Sequence, residues 1–154
     1  MLFNGKKYDG PREAICVIPR DGEDLVFKAQ TVASFDDFDK VCPQPTPPIV
    51  VRPGGLKSQD VTDPVYTKAL TKWAEYKTCW IILKSLEATK ELTWEKVDMS
   101  NPETWPEYAT ELKESGFSDL EVSRLIQIAI EANGLDQEKI DQATQRFLAT
   151  RQEQ

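Results

Sequence analysis

The spacing of apolar positions changes character twice along the chain. Residues 14–18 form an apolar run, and residues 25–32 alternate, with Leu25, Phe27 and Ala29 set against Val26, Lys28 and Gln30. Between them, Pro19-Arg20-Asp21-Gly22-Glu23 carries turn chemistry, because Asp-Gly accepts positive φ. Two strand-like runs around a glycine-bearing turn predict a β-hairpin within residues 13–32. Tyr8 is assigned to a third, shorter strand. A lone hairpin is marginal in water, so this one has to pack on something else. Ser34, with Asp37 three residues on, forms a capping box for a short helix that ends at Cys42, with Phe35 and Phe38 on one face.

Residues 43–62 break both periods. Pro43, Pro45, Pro47, Pro48 and Pro53 precede Gly54-Gly55 and a polar stretch. Proline removes backbone donors and pushes its predecessor toward extended geometry, so this is read as an extended, semi-rigid arm. Pro45 and Pro48 have PxxP spacing but lack flanking arginine signals. Ile49-Val50-Val51 makes part of the arm apolar and suits an edge strand lying in a groove.

From residue 63 the period is helical. Asp63-Pro64 supplies an N-cap and a first-turn proline. Tyr66, Ala69, Trp73, Tyr76, Trp80 and Leu83 then follow 3-4-3-4 spacing, one continuous stripe on a helix over 64–86. Leu92 and Trp94 fall in a connector. Asn101-Pro102 opens a helix over 102–115, closed by Gly116 in the left-handed C′ position. Ser118 and Glu121 form a capping box, with Phe117 and Val122 at staple spacing, for a helix over 119–133 carrying Val122, Leu125, Ile126, Ala129 and Ile130. Asp136 caps a last helix over 137–149, whose inner face is assigned to Ile140, Ala143 and Phe147, and whose polar tail frays. The fold class predicted is α+β, mainly α: a small β-rich portion over 1–42, the Pro/Gly-rich connector over 43–62, and a helical domain of about four helices over 63–154.

Composition narrows the function. The net charge of −7 disfavours nucleic acid, whose phosphates demand clustered lysine and arginine. The charge is also uneven: residues 63–154 hold 17 acids and 11 bases, against 9 and 8 before them, so the helical part is the acidic one. No apolar run approaches the ~20 residues that span a bilayer, and the N-terminus has no signal-like apolar region, which places the protein in the cytoplasm. Cys16, Cys42 and Cys79 are scattered, odd in number and without a CxxC pair, as expected of reduced thiols. With no histidine the commonest general base and metal ligand is missing. GxSxG, Walker, GxGxxG and EF-hand patterns are absent, and Asp36, Asp37 and Asp39 are helix N-terminal acids rather than a calcium loop. No cofactor is expected, and the chain reads as an interaction protein, not an enzyme.

The best functional lead is the aromatic stripe. It serves either to pack on the other helices or to receive an apolar segment of a protein partner, in which case Tyr66, Trp73 and Tyr76 are the partner-binding residues, since tyrosine and tryptophan offer large contact area with few rotors.

Several stretches resemble the tail assembly chaperones of long-tailed bacteriophages. They are Leu86-Glu87-Ala88-Thr89, Leu92-Thr93-Trp94-Glu95-Lys96-Val97-Asp98, Asn101-Pro102-Glu103-Thr104-Trp105, Glu111-Leu112 through Gly116-Phe117-Ser118, and Asn133-Gly134-Leu135-Asp136. The upstream Pro47-Pro48, Pro53-Gly54-Gly55 and Asp63-Pro64-Val65-Tyr66 fit the same family, so the likeness covers about residues 45–148. It implies a protein that binds the long, helical, aggregation-prone tape measure protein, keeps it soluble while tail-tube subunits polymerise around it, and is then released. The alternative is a structural virion component, a tail or baseplate accessory subunit; a small host-side regulator is a third possibility.

Overall fold

The computed structural model describes residues 1–8, 11–134 and 137–152. In chain order the elements are β1 (Leu2–Phe3), β2 (Lys6–Lys7), β3 (Glu13–Ile18), β4 (Leu25–Gln30), α1 (Asp36–Val41), β5 (Ile49–Val51), β6 (Lys57–Gln59), α2 (Pro64–Leu86), α3 (Glu107–Glu114), α4 (Asp119–Ala132) and α5 (Gln137–Gln152). The fold is α+β and mainly α. Its strands form three separate antiparallel pairs, β1–β2, β3–β4 and β5–β6.

The central hairpin runs β3 against β4 in a register from Glu13 opposite Gln30 to Ile18 opposite Leu25. Period-two alternation puts Cys16, Ile18, Phe27 and Ala29 on one face, and all four are buried. That face lies on α4 and α2, which solves the problem of a hairpin with no sheet of its own. α4 starts with both halves of the Ser118–Glu121 capping box and buries Val122, Leu125, Ile128, Ala129 and Ala132. α2 starts with the Asp63 carboxylate accepting the Tyr66 N–H, and buries its C-terminal half from Cys79 to Leu86 on several faces. The hairpin and the helices therefore share one core.

Four expectations about the elements before the last helix are corrected. The third strand is a separate hairpin, β1–β2, and Tyr8 lies just beyond it; Asn4 and Gly5, both at positive φ, form its two-residue turn. The arm is not merely extended: Gly54 and Gly55 at positive φ turn Ile49–Val51 back onto Lys57–Gln59, so these residues pair locally rather than lying in a groove. Helix 102–115 is split into a 3-10 turn, Pro102–Thr104, and α3, because Pro106 has no N–H to continue the ladder. The short helix α1 has Phe35 at its N-cap, and Ser34 Oγ instead accepts the Asp36 N–H at 3.1 Å.

The last helix forms, but its apolar residues do not turn inward. Ile140 is 44% exposed and Phe147 60%, and no described side chain of α5 is buried. The physical reason is occupancy: the face of α4 that a fourth bundle helix would take is already covered by β3 and β4. Asp136, expected to cap α5, lies outside the described residues, as do the last two residues of the tail. α3 ends as expected, with Gly116 at φ 95 and Phe117 N–H returning to the Leu112 carbonyl at 3.1 Å.

Polar groups fasten the hairpin to the helices. Arg20, in the β3–β4 turn, forms a two-pronged ion pair with Glu121 at 2.7 and 3.0 Å. The guanidinium, aided by the Ser118 N–H, pulls the Glu121 carboxyl down to about 2. Since the folded carboxyl is the stronger acid, this contribution is complete above the unfolded value of roughly 4.3 and is lost as pH falls toward about 2. Urea midpoints of wild type and Arg20→Ala should therefore differ at neutral pH and converge across that window. A difference that persists undiminished at about pH 2 would refute the assignment.

Candidate functional site

Phe38 of α1 is fully buried, and three tryptophans, two of α2 and one that closes the 3-10 turn, are arranged around it. Its ring centroid lies 5.9 Å from that of Trp73, 5.5 Å from that of Trp80 and 6.0 Å from that of Trp105. Tyr76 meets Trp105 edge-on at 6.1 Å. Phe35, the N-cap residue, lies against Trp80 at 5.8 Å, so it and Phe38 meet the same ring. Polar handles fix the orientations: Trp73 Nε1 donates to the Cys42 carbonyl and Trp105 Nε1 to the Asp98 carbonyl, each at 3.1 Å. Lys77 extends over Phe35 and Trp73 at 4.5 and 4.9 Å from the ring centres, covering the cluster with a cation.

The residues assigned to partner binding are thus placed unequally. Trp73 and Tyr76 are half-buried and pack on the core through one side of each ring. Tyr66 is also half-buried, two helical turns before Trp73, where its backbone N–H is held by Asp63 at 2.8 Å. All three lie along one face of α2 by spacing, with Trp80 and Leu83 continuing it into the interior. The stripe is therefore graded, half-exposed at the arm and buried at the far end.

Part of the apolar surface outside the core lies in the arm and where α2 begins. Ile49, Val51, Leu56, Val61 and Val65 are all mostly exposed. Ile49 and Val51 share one face of the β5–β6 ladder, opposite Gln59 and Lys57. These are five large aliphatic residues within 17 positions, two of them on one strand face, and exposed apolar surface of this kind is what interaction sites use where it is contiguous. The Ile49–Val51 run gave a signal for this; the cue to its pairing was Gly54-Gly55 between two short strand-like runs.

Other groups are arranged for structure. Burial raises the Cys79 and Cys42 thiols above their usual range, which leaves them poor nucleophiles. Burial likewise raises the Tyr108 hydroxyl to about 12. Among the described residues no cluster of three or more cysteine, aspartate and glutamate side chains is placed to hold a metal ion, and no helix is long and apolar enough to cross a membrane. One residue that sequence reasoning passed over is Thr89, buried in a connector and bonded to the backbone of β4. No protein-family model matches the chain, and no curated protein or solved structure is significantly similar to it.

The gradient along the stripe sets a measurable contrast. Trp80, 2% exposed, should cost about 3–5 kcal/mol when changed to alanine. Tyr66→Ala should cost less than about 1 kcal/mol, because its ring is not enclosed. Denaturant titration of the two variants decides; equal losses would contradict the placement of the stripe.

Proposed function

We propose that this chain is an assembly chaperone of the type it resembles, one that binds the tape measure protein of a long-tailed bacteriophage and keeps it soluble in the host cytoplasm during tail morphogenesis. The observation that carries the reading is the exposed apolar arm. A protein that transiently covers an aggregation-prone client needs apolar surface that its own core does not consume, and Ile49, Val51, Leu56, Val61 and Val65 supply it. The half-buried end of the stripe, Tyr66 followed by Trp73 and Tyr76 with Lys77 and Lys72 over their rings, is the second surface on which a client could lie. An amphipathic helix of the client laid along it would bury its apolar face at i, i+3, i+4 and i+7. The acidic C-terminal part favours encounter with a basic client segment and adds little to affinity. Binding is reversible, with fast dissociation, because the client must be handed over to the tube. No catalytic step is assigned.

Co-expression with the tape measure protein tests this. The client should stay in the soluble fraction only when this chain is present. The double change Ile49→Glu and Val51→Glu should lower that yield several-fold while leaving the melting temperature unchanged, since both side chains are already in water. Mature particles should lack the chain. A client equally soluble alone refutes the chaperone reading; stoichiometric presence in mature particles replaces it with that of a structural virion subunit.

A further inference from the structure

The outer edge of β4 is half closed. Lys28 donates its backbone N–H to Thr89 Oγ1 at 2.8 Å, and the Thr89 hydroxyl donates back to the Lys28 carbonyl at 2.8 Å. One buried side chain thus stands where a neighbouring strand would. Both backbone groups of Lys28 face away from β3, and such groups alternate along an antiparallel strand. Val26, two residues earlier in the same register, must therefore turn its N–H and C=O to the same side. Among the described residues nothing bonds them.

These two groups open onto a cavity of about 620 Å³ between β4, residues 89–94 and α3. Its floor is apolar, formed by Leu92, Trp94, Leu112 and Phe117. The walls are held in place: Trp94 meets Tyr108 edge-on at 6.5 Å, and Phe117 is fixed between Phe27 at 5.8 Å and the Arg20 guanidinium at 5.0 Å. The rim is acidic, with Glu23, Asp24 and Glu91 against the one base Lys28, and none of the three acids forms an ion pair among the described residues. On the other face of the hairpin, Val26 and its cross-strand neighbour Val17 are both exposed.

The geometry points to strand addition at this edge by a partner of defined chemistry: an extended segment of another protein that alternates apolar residues with lysine or arginine. Its backbone pairs with Val26, as an unpaired edge favours. Thr89 closes the edge at Lys28, so the added strand ends there and the register is set. Alternate side chains then point to opposite faces. One set lies over Trp94 and Phe117, the other beside Val26 and Val17, and the cations reach Glu23, Asp24 and Glu91. A second copy of this acidic chain would bring further negative charge to the same rim, which favours a basic foreign segment. The groove shares no lining residue with the arm or with the exposed end of the stripe, so this inference and the chaperone reading stand or fall separately.

The experiment uses the full chain and a synthetic peptide of about nine residues alternating valine and lysine, a usual strand length plus flanks. Its controls are the same peptide N-methylated at alternate residues and a valine–glutamate version. Hydrogen exchange followed by NMR should show the Val26 amide slowed by the first peptide and by neither control. Val26→Pro removes the donor without breaking the β3 ladder, and should weaken binding at least about tenfold. The pair Glu23→Lys and Glu91→Lys should reverse the preference toward the acidic peptide. Should Val26→Pro fail to fold, the N-methylated peptide still decides on the unaltered protein. An unchanged Val26 amide, or equal binding of the N-methylated peptide, overturns the proposal. Concentration-dependent dimerisation that protects Val26 without peptide overturns it too, in favour of a second copy as the occupant.

Discussion

The molecule depends on burying one face of a two-stranded hairpin that has no sheet to join. An isolated β-ribbon is marginal in water, and β3–β4 becomes stable only because Cys16, Ile18, Phe27 and Ala29 are closed off by α4 and α2. That need orders the rest. α4 presents Val122, Leu125 and Ala129 to the hairpin, α2 brings in Leu83 and Leu86, and no room is left on α4 for a further helix. The aromatic cluster around Phe38 then ties α1 and the 3-10 turn to the same helix, since Trp73, Trp80 and Trp105 all converge on one ring.

Polar side chains finish what apolar contacts begin. The strand edges and the chain beyond them present N–H and C=O groups that burial would strand, and single side chains answer them. Thr89 bonds both groups of Lys28. Asn133 accepts the Val32 N–H at 2.8 Å while donating to Ser85 Oγ and the Ala129 carbonyl. Every buried side-chain nitrogen and oxygen among the described residues has a partner, so no polar side chain is buried there without compensation. The outward backbone groups of Val26 are left without such an answer among the described residues, and on β4 they are the ones that open onto the cavity beside Thr89.

A chain this size can bury only part of its apolar content, and what remains outside is spread over the N-terminal hairpin, the outer face of β3–β4, the arm with the start of α2, and α5. The arm meets its own backbone demands through local pairing of β5 with β6, so its apolar side chains need no contact with the core. The core can therefore keep its shape while these apolar side chains are presented by a segment whose backbone is already paired.

Local signals were legible because they act within a few residues. Asp63-Pro64 and Ser118 with Glu121 cap their helices as the sequence requires, Gly116 takes the left-handed position, and the alternation over 25–32 assigns the faces of β4 correctly. Asn4-Gly5 and Gly54-Gly55 carried turn signals of the same local sort for the two small hairpins. The destination of each apolar face was not legible. Ile140, Ala143 and Phe147 have the spacing of an inward stripe, yet lie largely in solvent because β3 and β4 take the place beside α4. Trp73 and Tyr76 share a helix face with Tyr66, but only Phe38 and Trp105, 35 and 29 residues away in the chain, divide each ring between core and surface. Thr89 looks like any connector threonine until folding sets it against Lys28, 61 residues earlier. Caps, turns and periods are properties of short segments and were determined by the sequence alone; which faces meet, and which edge stays open, depends on competition among distant elements for the same surface, and only the tertiary structure decided it.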